Sequence, residues 1–335
     1  MVSATPDITD IRSSTVIDLR KSIVSALHQD PPSLPTLILY DERGLKLFEK
    51  ITYLDQYYLT NCEISILKTK SEEIVRRLGL RDGGIVVELG SGCSHLDDFA
   101  ELIDRNLRKT ALLLDALEKL KLNLTYYALD LDRQELVRSL KSLTSNYTHV
   151  KVEGLHGTYD DGIAFLKDVD KPKSILWLGS SIANMDREDS AKFLQRFPMN
   201  PGDTWVIGID RRNDAFKVWR AYNDSEGVTR DFELNGLRNA NRILGNEEFK
   251  DGEWDYVGEY DANGGRHEAW FVPVKDVTVC GLKFRKGDKI LVERSYKYGK
   301  REVEELWERA GVVEVGRWSD PGKAYGKTSL PVFLK

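Results

Sequence analysis

The stretch Val86-Val87-Glu88-Leu89-Gly90-Ser91-Gly92 constrains this chain most. An apolar, β-branched run bounded by glycine predicts a buried parallel strand, and glycines at its carboxyl end let the backbone turn sharply and approach a ligand closely. In an open α/β sheet that end is where a nucleotide-like cofactor binds. Glycine-x-glycine after a strand also occurs as ordinary turn chemistry, so the next strand has to decide. Leu124–Asp130 ends in an aspartate, where an acid can hold ribose hydroxyls; the alternative for Asp130 is to cap the following helix. A phosphate-binding turn asks for a third glycine, and position 95 is histidine. A cofactor with ribose but no pyrophosphate, S-adenosylmethionine (SAM), therefore fits better than NAD.

From that strand onward, strands at 84–89, 124–130, 148–153, 174–179 and 203–210 alternate with helices near 110–122, 132–143, 160–167 and 186–195. The expected fold class is α/β, a Rossmann-like parallel sheet with helices on both faces. Residues 1–15 read as a loose tail, 16–28 as a helix, and 53–60 as an aromatic turn ahead of a helix at 63–78. After Asp210 the rhythm changes to two helical stretches, 214–222 and 227–244, and antiparallel strands at 254–260, 268–274, 277–283 and 289–298. Helix 300–310 and strands 312–318 and 330–334 then return to the first pattern. The expected domains are 62–210 with 298–335 for the cofactor, and 1–61 with 211–297 as an α+β substrate-binding lobe.

Composition narrows the partners. A net charge of -5 speaks against a nucleic-acid partner, which needs a basic surface. No apolar run approaches the roughly 18 residues of a membrane span, and Met1 to Asp10 lacks a signal region, so a cytoplasmic protein without a membrane partner is expected. The 3 cysteines, Cys62, Cys93 and Cys280, lack metal-ligand spacing, as do the histidines, so no metal site is expected.

Ordered segments resemble one family throughout: Leu39-Tyr40-Asp41-Glu42-Arg43-Gly44, Tyr57-Tyr58-Leu59-Thr60, Glu88-Leu89-Gly90-Ser91-Gly92, Tyr127-Ala128-Leu129-Asp130-Leu131, His156-Gly157-Thr158-Tyr159-Asp160-Asp161-Gly162, Leu178-Gly179-Ser180-Ser181-Ile182-Ala183-Asn184, Arg220-Ala221-Tyr222-Asn223-Asp224, Gly265-Arg266-His267-Glu268 and Glu293-Arg294-Ser295-Tyr296-Lys297-Tyr298. The chain resembles SAM-dependent α-amino-acid N-methyltransferases, a family that includes histidine Nα-trimethylating enzymes and fungal 4-dimethylallyltryptophan N-methyltransferases. The resemblance implies that Gly90 and Gly92 lie beside the methionine part of SAM, Asp130 at its ribose, and Thr158 and Tyr159 near the adenine, with Glu88 and Lys109 in the same cofactor site. It implies further that Asn184, Tyr57 and Tyr222 bind the substrate's carboxylate and amine, that Glu293 and Ser295 recognise the side chain, and that Tyr40 lies close to the amine, where Tyr40 or a water beside it is the candidate proton acceptor. Core packing remains the alternative for Tyr222, and a core edge for Tyr40, Tyr53, Tyr57 and Tyr58.

Methyl transfer is an in-line attack of a neutral amine on a sulfonium methyl, so alignment supplies most of the catalysis, with effective-molarity arguments allowing roughly 7 to 11 kcal/mol. The chain departs from the family at 93–105, an apparent insert between the glycines and Arg108-Lys109, whose Ser94, Asp97 and Asp98 look like a helix start; it is expected to hinder the cofactor site or be pushed aside. A chain ending at Lys335 resembles the paralogue of alkaloid pathways, which puts 4-dimethylallyltryptophan first as substrate and histidine second. Ala269, where some histidine-specific members carry bulkier residues, leans the same way. A catalytically dead paralogue kept as a binding partner is the alternative from another class.

Overall fold

The computed structural model describes residues 6–13, 18–90, 104–143, 147–320 and 329–334. In chain order, β1 (Ile8–Asp10), α1 (Leu19–Leu27), α2 (Glu42–Tyr53) and α3 (Tyr58–Arg77) precede the alternating segment. That segment runs β2 (Ile85–Leu89), α4 (Asp104–Glu118), β3 (Leu124–Asp130), α5 (Arg133–Leu143), β4 (Val150–His156), α6 (Tyr159–Lys167), β5 (Lys173–Trp177), α7 (Arg187–Gln195) and β6 (Thr204–Ile207). Next come α8 (Ala215–Ala221), α9 (Val228–Leu244), β7 (Trp254–Asp261), β8 (Arg266–Pro273), β9 (Val277–Val279), β10 (Leu282–Phe284) and β11 (Ile290–Tyr296). The chain closes with α10 (Lys300–Ala310), β12 (Val313–Ser319) and β13 (Ser329–Leu334). It divides into two compact units, 1–15 with 59–212 and 297–335, and 16–58 with 213–296.

The first unit holds an 8-stranded sheet in the order β1-β4-β3-β2-β5-β6-β13-β12. β2 pairs in parallel with β3 on one side and β5 on the other. The chain runs outward from β2 through β3 to β4 and then returns to β5, so the strand order reverses at β2. That reversal opens a crevice beyond the carboxyl ends of β2 and β5, where such sheets bind ligands. All of β2 is buried, as expected of a central parallel strand covered on both faces. Ile66, Ile74 and Leu78 of the first unit share a core with Val86, Leu113, Leu117, Leu136 and Leu140. Each such buried aliphatic side chain contributes roughly 1.5–3 kcal/mol.

Residues 8–10 depart from expectation. They are no loose tail belonging to the substrate lobe; β1 pairs with β4 in parallel, Ile8 opposite Gly154, and extends the sheet of the first unit. Glycine at 154 accommodates this, because a Cβ there would meet Leu140 Cδ1 at 2.9 Å and Ile8 Cγ1 at 3.0 Å. The expected strand 277–283 is likewise two strands, β9 and β10, joined by Cys280 and Gly281 at positive φ. The aromatic stretch from Tyr58 onward is the first turn of α3, not a separate turn.

The second unit is a 3-stranded antiparallel sheet in the order β11-β8-β7, with the hairpin β9–β10 and helices α1, α2, α8 and α9. Helix α9 packs on the 3-10 turn Thr36–Leu39 through Gly236, where a Cβ would stand 2.6 Å from Leu39 Cδ2. Among the described residues no helix is long and apolar enough to cross a membrane. Nor is there a group of three side chains able to hold a metal ion among them.

Candidate active site

In the first unit, the carboxyl end of β2 is shaped by Gly90, whose φ of +62° is the left-handed region. A Cβ there would stand 2.7 Å from the phenol oxygen of Tyr159. Tyr159 opens α6, and its ring lies edge-on to Trp177 at 5.9 Å. Burial and the charge of Asp130 push its phenol up to about 12, so it stays neutral. Gly90, Tyr159 and Asp130 are thus neighbours at three strand ends, although 69 positions separate the first from Tyr159 (159 − 90).

Capping of the next helix falls to Asp132 rather than Asp130: Asp132 Oδ1 accepts from the backbone N–H of Gln134 at 2.8 Å and Glu135 at 3.1 Å. Thr158 is the N-cap of α6 in a capping box, its hydroxyl accepting from Asp161 N while Asp161 Oδ2 accepts from Thr158 N at 2.8 Å. Its local task is therefore to start α6 where Tyr159 can reach Gly90.

Two of the expected cofactor residues are engaged by the protein itself. Glu88 Oε2 accepts from Tyr126 Oη at 2.6 Å and Thr110 Oγ1 at 3.0 Å, tying β2 to β3 and α4. Burial pushes this carboxyl up to about 7 against the pull of those hydrogen bonds. Lys109 Nζ donates to Glu63 at 2.9 Å, and the Glu63 carboxylate accepts the N–H of Gly179 with both oxygens at 3.0 Å. This pair holds the turn after β5, where Gly179 and Ser180 both have positive φ and Asn184 ends the 3-10 turn Ser181–Asn184 as an exposed side chain. Ser180 Oγ accepts from Asp210 N at 2.8 Å, and Asp210 pairs at 2.9 Å with Lys297, both fully buried. Gly92 and the 93–103 part of the insert lie outside the described residues, while 104 and 105 begin α4.

In the second unit the remaining candidates come together. Asp41 caps α2 by accepting Gly44 N at 2.8 Å, and Gly44 is required because a Cβ would overlap Leu39 O. This turn presents Tyr40, whose ring packs edge-on to Phe48 at 5.8 Å and Phe232 at 5.6 Å and whose hydroxyl donates to Glu293 Oε1 at 3.4 Å. Burial, reinforced by Glu293, raises the Tyr40 phenol well above its usual range. The hydroxyl is thereby held as a neutral donor toward Glu293.

Tyr222 ends α8, where Asn223 Nδ2 donates to Gly258 O and Asp224 caps α9 through Val228 and Thr229. Its hydroxyl donates to Ser295 Oγ at 3.0 Å, and its ring stacks on His267 at 3.9 Å and meets Tyr57 edge-on at 6.0 Å. Tyr256 Oη donates to the Tyr222 carbonyl at 2.9 Å and fixes that corner. The β8–β11 register sets Ala269 opposite Glu293 and His267 opposite Ser295. Arg266 and Arg294 both donate to Glu268 Oε1 at 2.9 Å, a cross-strand brace for the same pair of strands. Tyr40, Tyr57, Tyr222, Glu293 and Ser295 thus belong to one unit, and Asn184 to the other.

Three residues here escaped the sequence reading: Glu63, Tyr256 and His267. Glu63 looks like an ordinary polar position of an amphipathic helix, and nothing local marks it. His267 stood in a matching segment, but only the strand register reveals it beside Ser295.

The sequence profile of the family described as "Histidine-specific methyltransferase, SAM-dependent" matches residues 19–331. Ergothioneine biosynthesis protein 1 of Neurospora crassa is 47% identical over 330 residues, 96% of this chain and 36% of that protein. The 4-dimethylallyltryptophan N-methyltransferase of Epichloe festucae var. lolii is 33% identical over 350 residues, covering 95% of this chain and 96% of that one. A solved SAM-dependent methyltransferase from Clostridium acetobutylicum aligns at a TM-score of 0.40 and 13% identity, over 81% of this chain and 91% of the other. The chain spans about a third of the length of the ergothioneine relatives it matches.

Proposed function

The chain belongs to the histidine-specific, SAM-dependent methyltransferase family, and from that membership we propose that it methylates the α-amino nitrogen of L-histidine, as far as the trimethylated product. The observation that carries this substrate is the 47% identity to an ergothioneine biosynthesis protein, against 33% to a 4-dimethylallyltryptophan enzyme. This reverses the order expected from the sequence. That order leaned on where the chain ends, which bears on no substrate.

The donor set of the first unit fits SAM. Gly90 leaves bare backbone beside Tyr159, Asp130 offers a carboxylate at the end of β3, and the neutral Tyr159 ring is fixed edge-on to Trp177. Gly90 and Gly92 take the methionine part, Asp130 the ribose, and Thr158 and Tyr159 the adenine side. Glu88 and Lys109 act from behind, holding β2, α4 and the turn after β5. SAM supplies an electrophilic methyl on a sulfonium; the protein's task is to deliver the amine as a neutral nucleophile in line with it. Asn184, Tyr57 and Tyr222 hold the amino-acid backbone with neutral donors, which suits a product that gains positive charge. Tyr40, as a neutral phenol, aligns the amine. Glu293 and Ser295 receive the side chain.

A second reading keeps one specific support. Ala269, fully buried and opposite Glu293, places the smallest apolar side chain beside the pair proposed to receive the substrate's ring. Mass spectrometry of the purified protein with SAM and an equal mixture of histidine, tryptophan, tyrosine and 4-dimethylallyltryptophan tests both. Trimethylated histidine is expected. A single methyl on the prenylated tryptophan would reinstate the second reading, and no product at all would favour a binding role without catalysis.

A further inference from the structure

The antiparallel sheet of the second unit carries a buried histidine on the face that also bears two of the side chains proposed to meet the substrate. The register places Gly258 opposite Ala269, Ala269 opposite Glu293 and His267 opposite Ser295, and directly opposed residues of antiparallel strands share a face. His267 is fully buried there. Its imidazole lies against the Tyr222 ring, with centroids 3.9 Å apart and planes 11° from parallel. That is closer than the roughly 4.5–7 Å usual for aromatic pairs. Gly258 makes the room, because a Cβ there would stand 2.9 Å from His267 Nε2 and closer still to Tyr256 Oη.

The other contacts of Tyr222 leave one freedom for the imidazole to remove. Tyr256 Oη holds the Tyr222 carbonyl at 2.9 Å, and the Tyr222 hydroxyl donates to Ser295 Oγ at 3.0 Å, so both ends of the residue are fixed. Rotation of a tyrosine ring about its own axis is a soft torsion that these two bonds do not define. The flat face of His267 defines it, with Tyr57 meeting the ring edge-on at 6.0 Å. Because a phenol O–H lies in the plane of its ring, setting that plane also sets the direction of the hydroxyl.

We infer that His267 is a positioning residue for the proposed methyl transfer: its imidazole face fixes the plane of Tyr222 and so aims the hydroxyl at the amino acid's backbone. This rests on the clamp role proposed above for Tyr222 and adds a residue that acts through it. Where alignment supplies most of the catalysis, fixing one member of the clamp acts on amino-acid binding without contact to the reacting atoms.

A double-mutant cycle on initial rates with SAM and histidine tests it, joining His267→Leu, which loses the flat ring, to Tyr222→Phe, which loses only the hydroxyl. His267→Leu is expected to raise the histidine KM about three- to tenfold, with kcat changed by less than about threefold and SAM affinity by less than about twofold. In the double variant the histidine KM should lie within about twofold of Tyr222→Phe alone, since the ring plane then aims nothing. Effects that multiply, as two independent packing defects would, overturn the positioning role. If His267→Leu does not fold or also loses SAM affinity, His267→Phe decides. A KM near that of wild type then supports the role of a flat ring, and a raised one overturns it. Tyr222→Phe with an unchanged histidine KM overturns the proposed clamp, and the role of His267 with it. A histidine KM raised by Tyr222→Phe and unmoved by His267→Leu overturns the positioning alone. Wild-type protein that methylates prenylated tryptophan and no histidine overturns the histidine reading. The same cycle run on that amino acid then supports His267 if the effects fail to multiply and overturns it if they do.

Discussion

The two units build their ends of the chemistry from different materials. In the first, the proposed cofactor end is mostly backbone: a glycine at positive φ, two strand ends, and a capped helix, braced by the ion pairs Glu63–Lys109 and Asp210–Lys297. In the second, the proposed amino-acid end is side chains: Tyr40, Tyr57, Tyr222, Tyr256, Glu293 and Ser295, tied to one another by rings and hydroxyls. A cofactor common to many enzymes can be held by features that any sheet of this topology offers at its switch point. A particular substrate needs particular functional groups, which only side chains supply.

Variants can break or sharpen that contrast. The largest effect is expected from Lys297→Met, which strands Asp210 as a fully buried charge; urea unfolding should show a loss of about 3–5 kcal/mol. Adding Asp210→Asn to it should recover much of the loss, and a double variant as unstable as the single one would show that the pair does more than satisfy charge.

Glu88→Gln probes the same unit through pH. Glu88 titrates near 7 in the folded protein against 4.5 ordinarily, so the unfolded chain releases its proton first and stability falls as pH rises from about 4.5 through 7. The difference corresponds to roughly 3 kcal/mol at most. Thermal melts of Glu88→Gln should be flatter over that window than those of wild type; identical slopes would place the titration elsewhere.

Gly90→Ala should cost about 1–3 kcal/mol in strain and in the contact with Tyr159, read by calorimetry as SAM affinity lowered by about tenfold, with amino-acid KM little altered. The smallest effect belongs to Tyr222→Phe, which removes one hydrogen bond to Ser295, about 1 kcal/mol. It should raise the amino-acid KM by up to about tenfold and leave SAM binding intact. A SAM affinity that falls with Tyr222→Phe would erase the distinction between the two units.

Much of the first unit was legible in advance because its signals are local. A β-branched run before Gly90 predicts β2, and Asp130 at the end of the next run predicts its neighbour; the pairing of β2 with β3 and β5 agrees. Local reading failed where partners are remote. Residues 8–10 are too few to announce a strand, and they become one only because β4 offers an open edge. The partners of Glu88 and Lys109 were not foreseen either, because Tyr126, Thr110 and Glu63 come from three elements distant in sequence. Asp132 rather than Asp130 caps α5, a choice made by two positions of backbone geometry.

By itself, then, the sequence determined the alternation of strands and helices, the glycine at the cofactor turn, and the family, because backbone conformation and hydrophobic periodicity are written within a few neighbouring residues. Only the tertiary structure decided which side chains share an environment. Glu233 and Glu293 stand 60 positions apart (293 − 233), yet helix α9 and strand β11 bury both in one unit, and burial with the charge of Glu293 raises the Glu233 carboxyl above its usual range. No local pattern records that proximity, since the charge on a buried acid is set by what packs around it rather than by what precedes it in the chain.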